Sequence, residues 1–257
     1  MADSGREFER LLSLVARLRA EDGCPWDREQ TPGTIKRYLL EEVYEVMDAV
    51  EHLPPHHVAE ELGDLIFMLI FLAHLYAEQG HFQMDEVLSK VAEKMVRRHP
   101  HVFGDLKVDS ARQVKLNWEE IKRQERPNRG LGAALNEIPL ALPALMRAYR
   151  ILSRLVRRLH RPFRQDILKS QLQETFATLL ELGLSEDGPP RAAVLGKVLL
   201  LLVAYDFPAD TRPEEALAST LQRFCRQVDR LEASLTEQGK DWQDLSEIQE
   251  RSLWEKL

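Results

Sequence analysis

Residues 39–67 read LLEEVYEVMDAVEHLPPHHVAEELGDLIF, and the reading of this stretch decides the fold. Leu39, Leu40, Val43, Val46, Met47 and Val50 recur at helical spacing, as do Leu62, Leu65, Ile66, Leu69 and Ile70, so each half predicts an amphipathic helix with an apolar stripe. Pro54 and Pro55 stand between the two patterns, where they interrupt a helix and favour a short turn. Two antiparallel helices lying side by side follow. Glu41, Glu42 and Glu45 share neighbouring positions on the first helix, and Glu61 and Asp64 repeat the three-residue spacing on the second. These acids border the apolar stripes, so folding the hairpin sets four or five carboxylates facing one another.

Carboxylates gathered in a half-buried groove repel and are driven toward protonation unless a cation sits among them. Oxygen-only ligation without a nearby His or Cys suits Mg²⁺, with Mn²⁺ as a possible substitute, better than zinc. A di-iron bundle wants Glu-x-x-His pairs, and neither cluster ends in His. The competing interpretation is a solvated, Glu-rich helix face, which is common in a chain that is 30% charged.

The remaining composition narrows the class. A chain of 257 residues, 44% hydrophobic, can bury one sizeable core or two smaller ones. Leu, Ala, Glu and Arg dominate and few alternating β-branched runs occur, which predicts an all-α fold. No charged-then-apolar segment opens the chain, and the apolar run Val198 to Ala204 is too short to span a bilayer, so a cytoplasmic protein without a membrane partner is expected. Cys24 and Cys225 lie far apart and form no disulfide or metal motif. A net charge of −7 argues against stable nucleic-acid binding, although local basic patches remain able to contact phosphate.

Along the chain, Phe8, Leu11, Leu12, Val15 and Leu18 give a first helix its apolar face, and that helix is expected to end near Asp22 and Gly23. The following Cys24-Pro25-Trp26-Asp27 and Gln30-Thr31 form a loop in which Trp26 is expected to plug the core, while Asp27 and Gln30 have no such explanation. Met84 to Arg98 predicts another amphipathic helix with Val87, Leu88, Val91 and Met95 inward. It ends in a basic cluster where Lys94 and Arg98, four apart, can grip phosphate oxygens, whereas favourable helix-dipole pairing accounts for Arg97 alone. His99 and His101 flank Pro100 and are taken as loop. Trp118 and Lys122 share one helix face, offering either a plate for a nucleobase beside an amine or ordinary core packing.

Pro127 to Gly132 is the best candidate linker, and the second half echoes the first. Pro162-Phe163 stands where Pro25-Trp26 stood, and Leu172 to Ala177 mirrors Leu40 to Glu45. The differences carry more information. Glu41 becomes Gln173, Glu45 becomes Ala177, Glu61 becomes Val194 and Asp64 becomes Lys197, so Glu174 alone keeps its acid. Such a set cannot hold Mg²⁺.

With these residues laid out, the chain resembles the MazG family of nucleoside triphosphate pyrophosphohydrolases over essentially its whole length. The family pattern of EExxE followed by ExxD is met by Glu41, Glu42, Glu45, Glu61 and Asp64, and the GCPWD and RRHPHVF stretches are also typical of it. The resemblance implies tandem all-α bundles related to the dimeric all-α pyrophosphatases. It also implies Mg²⁺-dependent cleavage of (deoxy)nucleoside triphosphates to monophosphate and pyrophosphate in nucleotide-pool house-cleaning, and roles in nucleotide handling for Lys94, Arg98, Trp118 and Lys122. On that basis residues 1–126 are expected to be the catalytic repeat, 127–132 a linker and 133–257 a degenerate, non-catalytic repeat. Glu42, Glu45, Glu61 and Asp64 are the expected metal ligands, with Glu41, Lys94 and Arg98 catalytic, Glu41 orienting or deprotonating the water. A homodimer or higher homo-oligomer is expected. The alternative is a catalytically weak helical interaction protein that uses its second repeat as a docking surface.

Overall fold

The computed structural model describes residues 4–125, 130–182 and 189–255, and among them there are helices and no strands, as the composition predicts. The chain divides into two compact units, Met1–Arg126 and Pro127–Leu257. Of the expected linker, residues 127–129 lie outside the described residues, while Leu131 and Gly132 already belong to a helix.

The first unit is built on helices α1 (Ser4–Arg19), α2 (Pro25–Glu29), α3 (Pro32–His52), α4 (Pro55–Glu78), α5 (Met84–Arg98), α6 (Pro100–Phe103) and α7 (Ala111–Gln124). Its backbone is the hairpin of α3 and α4, the most closely packed helix pair of the unit. Thr31 and Thr34 exchange backbone-to-hydroxyl hydrogen bonds of 3.3 and 2.9 Å, which cap α3 with Pro32 in its first turn. The helix stops at Leu53, whose extended backbone suits the residue before a proline, and Pro55 opens α4 without wasting an N–H.

Val15, Ile35, Ile70, Phe71 and Leu75 form the core, with Phe8, Leu11 and Leu12 of α1 packed against it. The expected face of α1 is therefore the buried one. The helix ends earlier than expected, at Arg19, and the chain turns so tightly that a Cβ on Gly23 would lie 2.3 Å from the Leu18 carbonyl oxygen. Arg19 then ties the turn to the hairpin. Its guanidinium meets Glu78 of α4 at 2.7 and 2.8 Å and also donates to the Asp27 carbonyl.

Three expectations are corrected here. Trp26 does not plug the core; it is 52% exposed and tilts against Tyr38, because buried Asp27 and Gln30 occupy the inner side of the turn. Gln30 explains its own burial by donating to the Trp26 carbonyl at 2.9 Å. Second, Leu40, Val43, Met47 and Val50 of α3, Leu62, Ile66 and Leu69 of α4, and Val87, Leu88 and Val91 of α5 are exposed, since among the described residues no element of the unit covers the faces that carry them. Third, Pro100–Phe103 is a short helix and not a loop, with His99 capping α5 through Nδ1 on the Met95 carbonyl at 2.6 Å.

The second unit contains α8 (Leu131–Asn136), α9 (Ala144–Leu159), α10 (Gln165–Glu181), α11 (Pro189–Asp206), α12 (Pro213–Glu237) and α13 (Glu247–Glu255), with single 3₁₀ turns at Phe207–Ala209 and Trp242–Asp244. Helices α10 and α11 form a hairpin that begins 133 residues after the first one (165 − 32). Tyr149 and Leu152 of α9 pack on Val203 and Ala204 of α11 to make its core. By length and composition Arg191–Ala209, with mean hydropathy 1.7, is long and apolar enough to cross a membrane, which corrects the expectation drawn from the uninterrupted run alone. Lys197 breaks that run without lowering the average of the leucines around it. A core helix of a globular unit meets the same criterion, and α11 buries Val198, Val203 and Ala204.

Candidate metal and nucleotide site

The α3/α4 hairpin brings Glu42, Glu45 and Glu61 together. One carboxylate oxygen of each lies within 4.8 Å of the others, although Glu45 and Glu61 are separated by the whole turn between the helices. The three-residue spacing of Glu42 and Glu45, nearly one helical turn, puts both on the side of α3 that meets α4. Burial first, and then the Glu45 and Asp64 carboxylates, push the Glu42 carboxyl above its usual range. Burial, Glu45, Asp64 and Glu60 do the same to Glu61, with His57 opposing them. Asp64 is thus an electrostatic neighbour of both.

Among the described residues none of these four acids pairs with a Lys or Arg. Clustered oxygen donors without a cationic partner, among them Glu42 and Glu61 with raised proton affinity, fit a hard divalent ion, which would replace the protons those two otherwise attract. Glu41 sits on the same helix, exposed to solvent, next to the ligand set. Sequence reasoning passed over Glu60, although the doubled Glu60-Glu61 repeats the doubling of Glu41-Glu42.

The cations lie elsewhere in the unit. Lys94 lines a groove of about 800 Å³ along α5, together with His81, Phe82, Lys90 and Arg97, and none of the four acids lines it. Arg98 is held in a second cluster. Its guanidinium lies 5.4 Å from the centre of the Trp118 ring and donates to Glu125 from Nη2 at 2.5 Å and from Nε at 3.3 Å. Arg97 shares the same carboxylate at 2.9 Å. His99 meets Trp118 edge-on, with ring centroids 4.8 Å apart, so the indole is packed among α5 residues. Lys122 is exposed on α7. The acids are therefore brought into one cluster, whereas Lys94, Arg98 with Trp118, and Lys122 stand in other settings. Glu125 was not found from the sequence, where a lone Glu 27 residues from its partner leaves no signal.

The family model described as the MazG nucleotide pyrophosphohydrolase domain matches residues 30–103, which include all five acids of the two motifs. A Thermotoga maritima protein named nucleoside triphosphate pyrophosphohydrolase/pyrophosphatase MazG is 31% identical over 256 residues, covering 100% of this chain and 97% of its own. The chain belongs to the MazG family. An Escherichia coli (strain K12) protein named nucleoside triphosphate pyrophosphohydrolase is 44% identical over 149 residues, 58% of this MazG chain and 57% of the relative, so the match spans little more than half of that protein. A solved structure, the mazG-related protein from Thermotoga maritima, superposes on 45% of the MazG chain and 98% of its own with a TM-score of 0.40 and 30% identity.

Proposed function

We propose that this MazG chain hydrolyses (deoxy)nucleoside triphosphates to nucleoside monophosphate and pyrophosphate, using Mg²⁺ or, in its place, Mn²⁺, and so clears unwanted nucleotides from the cytoplasm. The observation that carries the reading is the meeting of Glu42, Glu45 and Glu61 across two helices, with carboxylate oxygens within 4.8 Å. Glu42, Glu45, Glu61 and Asp64 would hold the ion, which when bound supplies positive charge to the triphosphate and polarises its phosphoryl oxygens. Glu41, beside the ligands and free of their task, orients or deprotonates the water that attacks the α-phosphorus. Lys94, Arg98 and Lys122 neutralise phosphate charge, and Trp118 supplies an aromatic wall for the base. In-line attack depends on positioning, so no Ser or Cys nucleophile is needed.

We assign catalysis to residues 1–126 and a non-catalytic role to residues 133–257, where Gln173, Ala177, Val194 and Lys197 replace four of the acids. A homodimer or larger homo-oligomer would cover the exposed leucines and valines of α3, α4 and α5 and draw the scattered cations toward the acids. Light scattering that returns a monomer mass at micromolar concentration rejects that assembly. The reaction is tested by incubating purified chain with a panel of canonical and modified triphosphates and Mg²⁺. Monophosphate and pyrophosphate are the expected products, and diphosphate with inorganic phosphate as primary products would refute the proposal.

A further inference from the structure

Trp118 and Glu125 stand seven residues apart, nearly two helical turns, so they share the side of α7 that meets α5. Glu125 follows the last residue of that helix, yet its N–H still donates to the Ile121 carbonyl at 3.0 Å and keeps it in helical register. Across from it come the last two residues of α5, Arg97 and Arg98. Oε1 of Glu125 accepts from Arg97 Nε at 2.9 Å and from Arg98 Nε at 3.3 Å, while Oε2 accepts from Arg98 Nη2 at 2.5 Å. The Arg98 guanidinium is thus fixed from two directions, by this carboxylate along its edge and by the Trp118 ring that it lies over at 5.4 Å.

Helix stability does not explain this acid. A carboxylate at a helix C-terminus sits at the negative end of the macrodipole and is disfavoured there, whereas Arg97 and Arg98 already complement the end of α5. Two guanidiniums sharing one carboxylate leave the group with an excess of positive charge, so it is still a receptor for an anion after Glu125 has paired. A guanidinium carries five N–H donors in a fixed fork. Glu125 takes the edge formed by Nε and Nη2, and among the described residues both Nη1 hydrogens of Arg98 have no partner. With Trp118 and Glu125 in place, that end is the one left to offer, and its direction is set. Without Glu125 the long side chain turns about several torsions and must lose that freedom when it grips a ligand.

We propose that Glu125 is a positioning residue for triphosphate hydrolysis, fixing Arg98 over Trp118 with its Nη1 end presented to a phosphate group, an assignment that rests on the hydrolysis and on the phosphate role of Arg98 proposed above. Glu125 itself touches no substrate. Its carboxyl is held down to about 2, by Arg98 first and then Arg97, so it is ionised at neutral pH and the grip on Arg98 is complete there. A charged donor aimed in advance at the phosphoryl group acts most strongly where charge is redistributed in the transition state. The loss of that aim therefore falls on turnover.

The test measures kcat and KM of the full-length chain with Mg²⁺ and a triphosphate that the parent cleaves, at a temperature well below the melt of every variant. Glu125→Gln keeps the size and removes the charge, and should lower kcat and kcat/KM together by at least about tenfold. Glu125→Asp keeps the charge on a shorter arm and should lose less. Because Glu125 acts through Arg98, Arg98→Ala and the Arg98→Ala/Glu125→Gln double variant should turn over equally slowly, whereas in a Lys94→Ala background the Glu125 substitution should keep its full effect. Parental turnover by Glu125→Gln while Arg98→Ala is impaired overturns the proposal and leaves the hydrolysis standing. So does an additive loss in the double variant, or a loss that disappears on cooling and so reports stability alone. Faster turnover by Glu125→Gln would show the carboxylate competing with phosphate for Arg98, and overturns it too. Absence of monophosphate and pyrophosphate from the parent overturns the hydrolysis itself, and the positioning role with it.

Discussion

Arg98 and Glu125 join the end of α5 to the end of α7 through two hydrogen bonds, of which the Nη2 to Oε2 bond is 2.5 Å. Both side chains are sheltered, at 14% and 18% exposure, and Arg97 adds a third bond to the same carboxylate. Arg98, and behind it Arg97, hold the Glu125 carboxyl down to about 2 from an ordinary 4.5. A depressed carboxylate contributes stability that is complete above its unfolded pKa and is lost as pH falls through its folded one. The contribution of this pair should therefore be intact at neutral pH and fade between about pH 4.5 and pH 2. Glu125→Gln keeps the shape and removes the charge, so its melting temperature should fall below that of the parent at pH 7 and converge with it in strong acid. Parallel melts across the whole range would show that the pair contributes nothing.

The acid cluster behaves in the opposite sense. Glu42 and Glu61 have raised carboxyls, so the folded metal-free chain binds more protons than the unfolded one, and stability should fall as pH rises from the ordinary carboxylate value through the raised ones. Replacing Glu45 with Gln relieves repulsion felt by both neighbours. The variant should melt higher than the parent in chelator at neutral pH, yet gain less from added Mg²⁺, where a saturating ligand at 100 times its Kd is worth about 2.7 kcal/mol. If Glu45→Gln melts lower in chelator and keeps the full Mg²⁺ shift, the metal is bound at another place.

Phe71 carries the largest side chain that the first unit buries completely, 1% exposed between Val15, Ile35, Ile70 and Leu75. The Arg19 guanidinium lies 5.6 Å from its ring centre, so the residue also supports the bridge to Glu78. Phe71→Ala should cost about 3–5 kcal/mol through forfeited transfer energy and the cavity left behind. Denaturant titration followed by far-ultraviolet circular dichroism measures it. A cost under about 1 kcal/mol would mean that the core closes around the gap.

Helical periodicity made the hairpin legible, because the double proline and the two acid spacings are local features that propagate directly into α3 and α4. Periodicity identifies an apolar stripe without saying what covers it. That is why Val87, Leu88 and Val91 are expected inside and are found exposed. Trp26 departs from expectation for a related reason: side-chain type alone favours a buried indole, while the interior of the turn is taken by Asp27 and Gln30. The acids were readable because several like charges recur at fixed helical spacing on two neighbouring segments. Glu125 was not, because an ion pair between distant helices requires only one residue on each side and imposes no pattern.

The two hairpins supply a final comparison within one chain. Glu174 is the acid that survives in the second, and it is exposed on α10, accepting a hydrogen bond from Gln171 at 3.2 Å. Its neighbours by repeat position are Ala177, Val194 and Lys197, so at most one carboxylate faces one ammonium where the first hairpin gathers four acids. Mg²⁺ demands several oxygens in near-octahedral order, and a single acid beside a cation cannot provide them. Glu174→Gln should leave triphosphate turnover and the Mg²⁺-induced rise in melting temperature unchanged, while Glu42→Gln should abolish most of both. Loss of activity in the Glu174 variant equal to that in the Glu42 variant would place the working site in the second hairpin and reverse the assignment of the two halves.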